Sequence, residues 1–497
     1  MKKYLKHYIF ICIFLTSFLL RILPFDKGIK DGDEFTTKLI ASGVSDKNKM
    51  NENVLFSNND LLCNNNLKNV LILTKADNGN SLVYNIFLHY WLKMFGYSDF
   101  SARLFSLISF LLFLIIVYVF LINYSSKRIA NISTFIIAVN PILIEYSNIA
   151  RSYMFALMLI TLASFLFYKI LHDRSNSDKM IIFYYIVAIS SVFSHYFTGF
   201  ILFFHFVYFI IYERDKIIWK KFGVYFSIII FAFIAWYIYI GKDAFDVLKS
   251  QNEYKATILT GNTELSWYEK TSLQSLINNL LRVYISITGI NIYWDLLGCG
   301  IKFRYLLILI IIPLFFILSY VYELIKNKKN RVFNVFFIIM FLSSLFFNVS
   351  LAIISGFTGA LTLRYFLFSL PYLIIIIAIA YEKLAKIKIT NIIATFILII
   401  LVYCNFYDII KNNSVIKNNE IEIIANKLRL YKEKELLIIH SNEYSAKLFN
   451  CYIYNHNTKV KQIYRNSYMM KNKIIFVNKN DTIVYKIKNP NNYWFLK

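Results

Sequence analysis

The stretch HYIFICIFLTSFLLRILPFDKGIKDGDEFTTK, residues 7–38, sets two kinds of chemistry back to back. Its first part, residues 7–25, is an apolar run near the length of about 20 residues that a helix needs to cross a hydrocarbon core. Asp31, Asp33 and Glu34 follow just where such a helix leaves the bilayer. A charged loop at a helix end would look like this, and so would a carboxylate site held at a membrane face. How often such runs recur, and on which side their polar connections fall, bears on the choice.

They recur along most of the chain. Of 497 residues, 58% are hydrophobic, 18% aromatic and 17% charged, and the mean hydropathy is +0.52. That balance excludes an ordinary soluble globular protein. Further apolar runs lie near 100–122, 129–146, 152–170, 180–198, 199–211, 221–240, 303–322, 332–350, 364–381 and 390–407. Lipid offers no partner for a bare backbone amide, so each run is expected to be helical. No small-x-small cleavage site follows residues 1–25, which read as an uncleaved first helix. The expected fold class is a polytopic α-helical membrane protein of about eleven transmembrane helices with a small C-terminal α/β domain.

A net charge of +25 would suggest nucleic acid in a soluble protein. Here Lys and Arg sit in short connections at 127–128, 171–179, 213–221, 326–331 and 382–388, where they orient helices. No zinc-finger spacing or basic-aromatic repeat accompanies them, so no nucleic-acid partner is expected. Cys12, Cys63, Cys299, Cys404 and Cys451 are scattered and make neither a metal site nor a disulfide framework. The alternation expects a multi-pass protein of the cell inner (plasma) membrane with a cytoplasmic N-terminus. It divides the chain into a membrane domain, 1–407, and an extracytoplasmic α/β domain, 408–497. The long segments 26–99 and 241–302 fall on the outer side. Segment 81–95 is predicted as an amphipathic interfacial helix and 263–290 as a second peripheral one. In the last domain a helix over 418–431, the strand ELLIIH, a helix over 443–450 and the strands IIFVN and TIVYKI are expected. His440-Ser441-Asn442-Glu443 falls at a strand-to-helix boundary, where Ser or Asn caps belong.

Polar groups gather near the outer ends of the runs: Arg21, Asp33, Glu34, Asp77, Arg103 and Glu145, then Arg151, Tyr153, His195, Arg364 and Tyr365. Charges in or near membrane spans tend to face one another or a cavity. For any single one, anchoring at the interface is the plainer explanation. A cavity handling a lipid-linked phosphate needs cations for the phosphate, a carboxylate to take an acceptor proton, and a lateral opening. Arginine suits the first task because its fork meets two oxygens, and a carboxylate within hydrogen-bond reach suits the second. On the residues alone this reading stands level with transport.

Arg21 followed by Asp33-Glu34 is the first of several ordered stretches. The others are KADNGNSLVYNIFLHYWLKMFGYSDFSARLFS at 75–106, NPILIEYSNIARSYMFALML at 140–159, SHYFTGF at 194–200 and LRYFLFSLPYL at 363–373. In order and spacing they resemble the bacterial GT-C fold, family 39-like polyprenyl-phosphate-sugar glycosyltransferases, which are related to protein O-mannosyltransferases and to the lipid A aminoarabinose transferase. One stretch departs: where many relatives have His-Pro-Pro, this chain has Asn78-Gly79-Asn80-Ser81, with Asp77 remaining as a loop acid.

The resemblance implies an inverting glycosyltransferase. A sugar would pass from a polyprenyl-phosphate donor to a membrane lipid, surface glycan or protein acceptor at the outer face of the bilayer. It implies Asp33 as general base, deprotonating the acceptor while C1 of the sugar is attacked and the lipid phosphate leaves. Glu34 would support it as a second acid or metal contact, although Asp31-Gly32-Asp33 could equally be an Asx-type turn. Arg151 with Tyr153, and Arg364 with Tyr365, would grip phosphate or serve as interfacial anchors. His195 would donate to phosphate or sugar, or pack among aromatics. His89 lies within the interfacial stripe and is expected to face headgroups or pack, and Lys75 is a loop cation that could approach phosphate. The sequence specifies no cofactor; a divalent metal ion on Asp77 and His195 competes with a capped loop and a packed histidine. The alternative function is a lipid-linked oligosaccharide transporter or polymerase, which would tend to show related halves and Gly- or Pro-broken midspan helices.

Overall fold

The computed structural model describes residues 7–22, 32–43, 55–57, 66–77, 79–173, 178–236, 238, 270–287, 316–326, 331–392, 394–395 and 399, with strands at 436–440, 460–464, 475–478 and 483–486. In chain order the elements begin with α1 (Tyr8–Ile22), α2 (Gly32–Ser42), β1 (Leu55–Ser57), α3 (Leu67–Ala76), α4 (Leu82–Phe95) and α5 (Asp99–Tyr124). Next come α6 (Lys127–Val139), α7 (Pro141–Ser147), α8 (Tyr153–His172), α9 (Asp178–Ser194), α10 (Thr198–Tyr212) and α11 (Lys216–Trp236). The remainder are α12 (Leu273–Ile287), α13 (Arg331–Ser355), a 3-10 turn at Thr358–Leu361, α14 (Leu363–Phe366) and α15 (Leu370–Leu384). Strands β2 (Leu436–His440), β3 (Val460–Tyr464), β4 (Ile475–Asn478) and β5 (Ile483–Lys486) complete it.

The chain forms two compact units. The first holds Met1–Ile22, Ile108–Ser147 and Tyr153–Ser414; the second holds Leu23–Leu107, Asn148–Ser152 and Val415–Lys497. In the first, α1 lies against α6, α8 pairs with α9, and α13 packs on α10 and α15. Aromatic rings fill its interior: Phe120 meets Phe337 at 5.8 Å, and Phe167 stacks on His205 at 4.6 Å. The His205 ring also meets Ser164 and Tyr184 hydroxyls at 3.0 and 3.2 Å, so this buried imidazole is hydrogen-bonded at both nitrogens.

Among the described residues, α5, α8 and α13 are long and apolar enough to cross a membrane, and α6 with α7 would make a fourth span bent by 62°. Eleven were expected. The difference has two sources. Runs near 303–322 and 390–407 lie largely outside the described residues. The run 221–240 is described as a helix only over Lys216–Trp236, and others form short helices: α1, α10 and α15 have 15 residues each and α9 has 17. At the helical rise these reach about 23–26 Å, short of a core of about 30 Å.

Two runs expected as single helices are broken. The run 129–146 parts at Asn140 because Pro141 has no amide hydrogen to continue the ladder. Asn140 Oδ1 accepts from the Leu143 amide at 3.2 Å, capping the next piece. Arg21 Nη1 donates to the Ala138 carbonyl at 2.8 Å, one of the last carbonyls before the break. The run 364–381 divides into α14 and α15, which restarts at Leu370 with Pro371 in its first turn.

In the second unit, α2, α3 and α4 pack together, and a five-stranded sheet has the order β1-β3-β2-β4-β5. β2 and β3 are parallel, and the other neighbours run antiparallel. Three expected strands appear at β2, β4 and β5. Two unexpected ones join them: β3, and β1 from the first outer segment, whose Leu55 faces Ile463. The helices expected over 418–431 and 443–450 lie outside the described residues. Both expected peripheral helices are present, as α4 and α12. α12 buries Val283 against Ala352, Leu361 and Phe366 in the first unit.

Candidate active site

The acidic pair opens a helix rather than a loop. Asp33 and Glu34 occupy the first turn of α2, where negative charge meets the positive end of the helix dipole. Neighbouring in sequence, the two carboxylates have opposite surroundings. Glu34 is fully buried. Arg103 Nε donates to its Oε1 at 2.8 Å and Nη2 to its Oε2 at 2.9 Å, a two-pronged fork. The Ala150 amide adds a third bond at 3.0 Å. Burial alone would raise this carboxyl, but the charge and fork of Arg103, with Lys38 and the Ala150 amide, outweigh it and bring it down to about 2.

One turn further on, Lys38 pairs with Asp99, and both side chains are buried. Residues 34 and 38 on α2 thus face 103 and 99 on α5, acid to base and base to acid. This is a crossed ladder between antiparallel helix faces. Two buried ion pairs cannot slide in register without leaving four charges unpaired, so the ladder fixes where α2 sits.

Asp33 points elsewhere. Its side chain is 46% exposed while that of Arg151 is only 13% exposed. Arg151 Nη2 donates to Asp33 Oδ2 at 3.2 Å, and Nη1 donates to the Asp33 carbonyl at 3.1 Å and to Thr37 Oγ1 at 2.8 Å. The guanidinium therefore holds backbone and carboxylate of one residue together, leaving the carboxylate partly open.

Asp77 belongs to the same electrostatic group. It ends α3, its amide donating to the Leu73 carbonyl. Burial and the Asp33 charge push its carboxyl up, against Arg151, to about 6. Lys75, two residues earlier in the last turn of α3, is exposed. The loop that replaces His-Pro-Pro is a turn with two left-handed residues, Gly79 at φ 66° and Ser81 at φ 62°. Ser81 is uncommon in that region, and its hydroxyl is tied to Ser152 Oγ at 2.8 Å. His89 is buried and its Nδ1 donates to the Ala41 carbonyl at 2.7 Å, so it packs α4 on α2 and does not face headgroups.

The other expected residues form a cluster in the first unit. Tyr153 and His195 are buried, with ring centres 5.1 Å apart. His195 also meets Phe368 at 4.9 Å and Tyr365 at 6.5 Å. Its Nδ1 accepts from the Phe197 amide at 3.4 Å, which leaves the hydrogen on Nε2 in the neutral ring. Tyr365 stacks on Phe197 at 4.0 Å, and the Arg364 guanidinium lies 5.0 Å from the Tyr365 ring centre. The structure therefore gathers Asp33, Glu34, Arg151 and Asp77 in one unit, and Tyr153, His195, Arg364 and Tyr365 in the other.

Sequence reading named Arg103 without a role and missed Lys38, Thr37 and Asp99. A signal existed: Glu34 and Lys38, like Asp99 and Arg103, are an acid and a base four residues apart in the same order, so antiparallel packing of the two helices pairs each acid with the other's base. Both Glu34 carboxylate oxygens are engaged by Arg103. Among the described residues no three His, Cys, Asp or Glu side chains cluster as a ligand set. No step below runs through a metal ion.

Comparison with known proteins bears on the fold. The dolichyl-phosphate-mannose-protein mannosyltransferase family profile matches residues 80–239. No curated protein matches the chain. The oligosaccharyltransferase of Archaeoglobus fulgidus in its apo form superposes with a TM-score of 0.52 at 11% identity, covering 93% of this chain and 65% of that one. The same enzyme tethered to an acceptor peptide gives 0.51 at 12%, covering 93% and 64%. This chain thus spans just under two thirds of that enzyme's length. ArnT of Cupriavidus metallidurans in the apo state gives 0.49 at 8%, covering 88% and 84%. The chain thus shares the fold of the Archaeoglobus fulgidus oligosaccharyltransferase.

Proposed function

We infer that the chain is a glycosyltransferase that moves a sugar, with inversion, from a polyprenyl-phosphate donor to a lipid, glycan or protein acceptor. It works at the outer face of a cell inner (plasma) membrane that it crosses about eleven times, with its N-terminus cytoplasmic. The matching family profile and the shared fold support the reaction class. The observation that carries the reading is the state of Asp33: a half-open carboxylate whose Oδ2 and backbone carbonyl are both held by Arg151, in the first turn of a helix locked in place by buried charges.

In this reading Asp33 takes the proton of the acceptor nucleophile as that atom forms its bond to C1 of the sugar. The C1–O bond to the lipid phosphate breaks, and the phosphate leaves with the electron pair. Glu34 does not touch substrate; with Arg103 it fixes the turn from which Asp33 projects. Arg151 aims Asp33 and stabilises its charge, while Lys75, Arg364, His195, Tyr153 and Tyr365 supply donors for phosphate and sugar. A transporter or polymerase would also carry a broken helix such as α6–α7. Here Arg21 and Asn140 fill that break with protein hydrogen bonds, which favours structure over cargo.

The test is transfer of label from a panel of polyprenyl-phosphate sugars to a membrane acceptor extract, with donor binding measured separately. Asp33→Asn should bind donor normally and lose transfer by about 100-fold or more, the scale of general-base removal. Undiminished transfer in that variant would remove Asp33 from the chemistry.

A further inference from the structure

A second site lies far along the chain from the carboxylates, at the start of α6. A cavity of about 750 Å³ opens there, lined by residues of α6 and α1 together with Tyr381, Thr395 and Ile399. Its wall on α6 is a stripe at helical spacing: Arg128, Asn131, Ile132, Phe135 and Ile136. Ile9 and Ile13 of α1 and Ile399 close the sides. From Arg128 to Ile136 the stripe descends about 12 Å, close to the depth of about 15 Å that one leaflet contributes to the hydrocarbon core.

The two ends differ in chemistry. Arg128 is exposed, its guanidinium 5.7 Å from the centre of the Tyr381 ring. Lys127 stands beside it over Tyr8 at 5.9 Å. Both are in the first turn of a 13-residue helix, whose free amides and dipole favour an anion. Ser126 caps that turn through the Ile129 amide and donates to Glu382 at 2.6 Å, so one carboxylate also faces this end. Deeper, Tyr381 and Thr395 hydroxyls satisfy each other at 3.0 Å. Asn131 Oδ1 is buried and accepts no hydrogen bond. Beyond it the lining is Ile and Phe.

We propose that this groove binds one anionic glycerophospholipid, its phosphate at Lys127 and Arg128 and an acyl chain along Ile132, Phe135 and Ile136. The basic connection at 127–128 places the site in the cytoplasmic leaflet under the topology given above. The one-leaflet length favours an acyl chain over a polyprenyl chain. The site is independent of sugar transfer.

The test takes delipidated full-length protein in detergent and measures retained lipid by mass spectrometry. The competitors are phosphatidylglycerol, phosphatidylcholine and a polyprenyl phosphate. Each basic side chain near an anionic lipid is worth a factor of about five, so two predict a preference for phosphatidylglycerol over phosphatidylcholine on the order of 25-fold. Arg128→Gln should cut that preference about fivefold. Ile136→Trp should fill the groove and abolish retention, and Lys220→Gln, a cation on α11, should change neither. Equal retention of the two phospholipids by wild type overturns the proposal without any variant. So does stronger retention of polyprenyl phosphate, and so does retention that survives Ile136→Trp.

Discussion

Arg103→Met removes a charge from the crossed ladder and leaves Glu34 fully buried beside an apolar side chain. The Glu34 carboxyl moves from an ordinary 4.5 to about 2 in the folded protein. A drop of that size corresponds to roughly 3 kcal/mol at neutral pH, and breaking a buried pair from one side costs about 3–5 kcal/mol. Because the folded pKa is depressed, this stability is fully present above the unfolded pKa near 4.5 and is lost as the pH falls through the folded value near 2. Unfolding in mixed micelles at pH 7, followed by tryptophan fluorescence, should show the Met variant destabilised by about 3 kcal/mol. In the background of Glu34→Gln the same substitution should cost at least about 2 kcal/mol less, since no carboxylate remains to strand. Loss below about 1 kcal/mol at pH 7, or equal losses in the two backgrounds, would refute the claim that the fork anchors α2.

Other substitutions probe the neighbouring contacts. Arg151→Lys keeps a charge but cannot hold the Asp33 carbonyl, the Asp33 carboxylate and Thr37 together. Sugar transfer should fall about 10- to 100-fold, the value of one or two charge-assisted hydrogen bonds, while thermal unfolding shifts little. Asp77 has a raised folded pKa of about 6 against an ordinary 3.8, so the fold binds an extra proton between those values and loses stability as pH rises through them. Asp77→Asn should erase that slope in melting temperature between pH 4 and pH 6. Gly43 has φ +68°, and a Cβ there would stand 3.0 Å from the Asn66 carbonyl oxygen, so Gly43→Ala should destabilise by about 1–3 kcal/mol in the same micelle assay.

Hydropathy made the longest spans legible. The run 100–122 became α5, and 332–350 became α13. It read through Pro141 because an apolar average does not register one missing amide hydrogen. The break is nonetheless local chemistry, visible in the Asn-Pro pair. Asp33 and Arg151 were singled out from resemblance, but their mutual grip crosses 118 residues and no spacing announces it. The split between an open Asp33 and a sealed Glu34 depends on which helix face meets α5. A helical reading of residues 32–42 beside 99–103 would have exposed it. β1 was out of reach: three residues carry no periodicity.

That short strand has a consequence in time. Leu55–Ser57 emerges early from the ribosome, and its partner Val460–Tyr464 emerges about 400 residues later. At about 5–20 residues per second, the first strand waits some 20–80 s with its edge unsatisfied. The pairing of β1 therefore closes only after residues 460–464 have been made. A chain stopped before residue 460 would hold α2 and its charge ladder but keep an open strand, a natural target for chaperones or for proteases that clear unfinished chains.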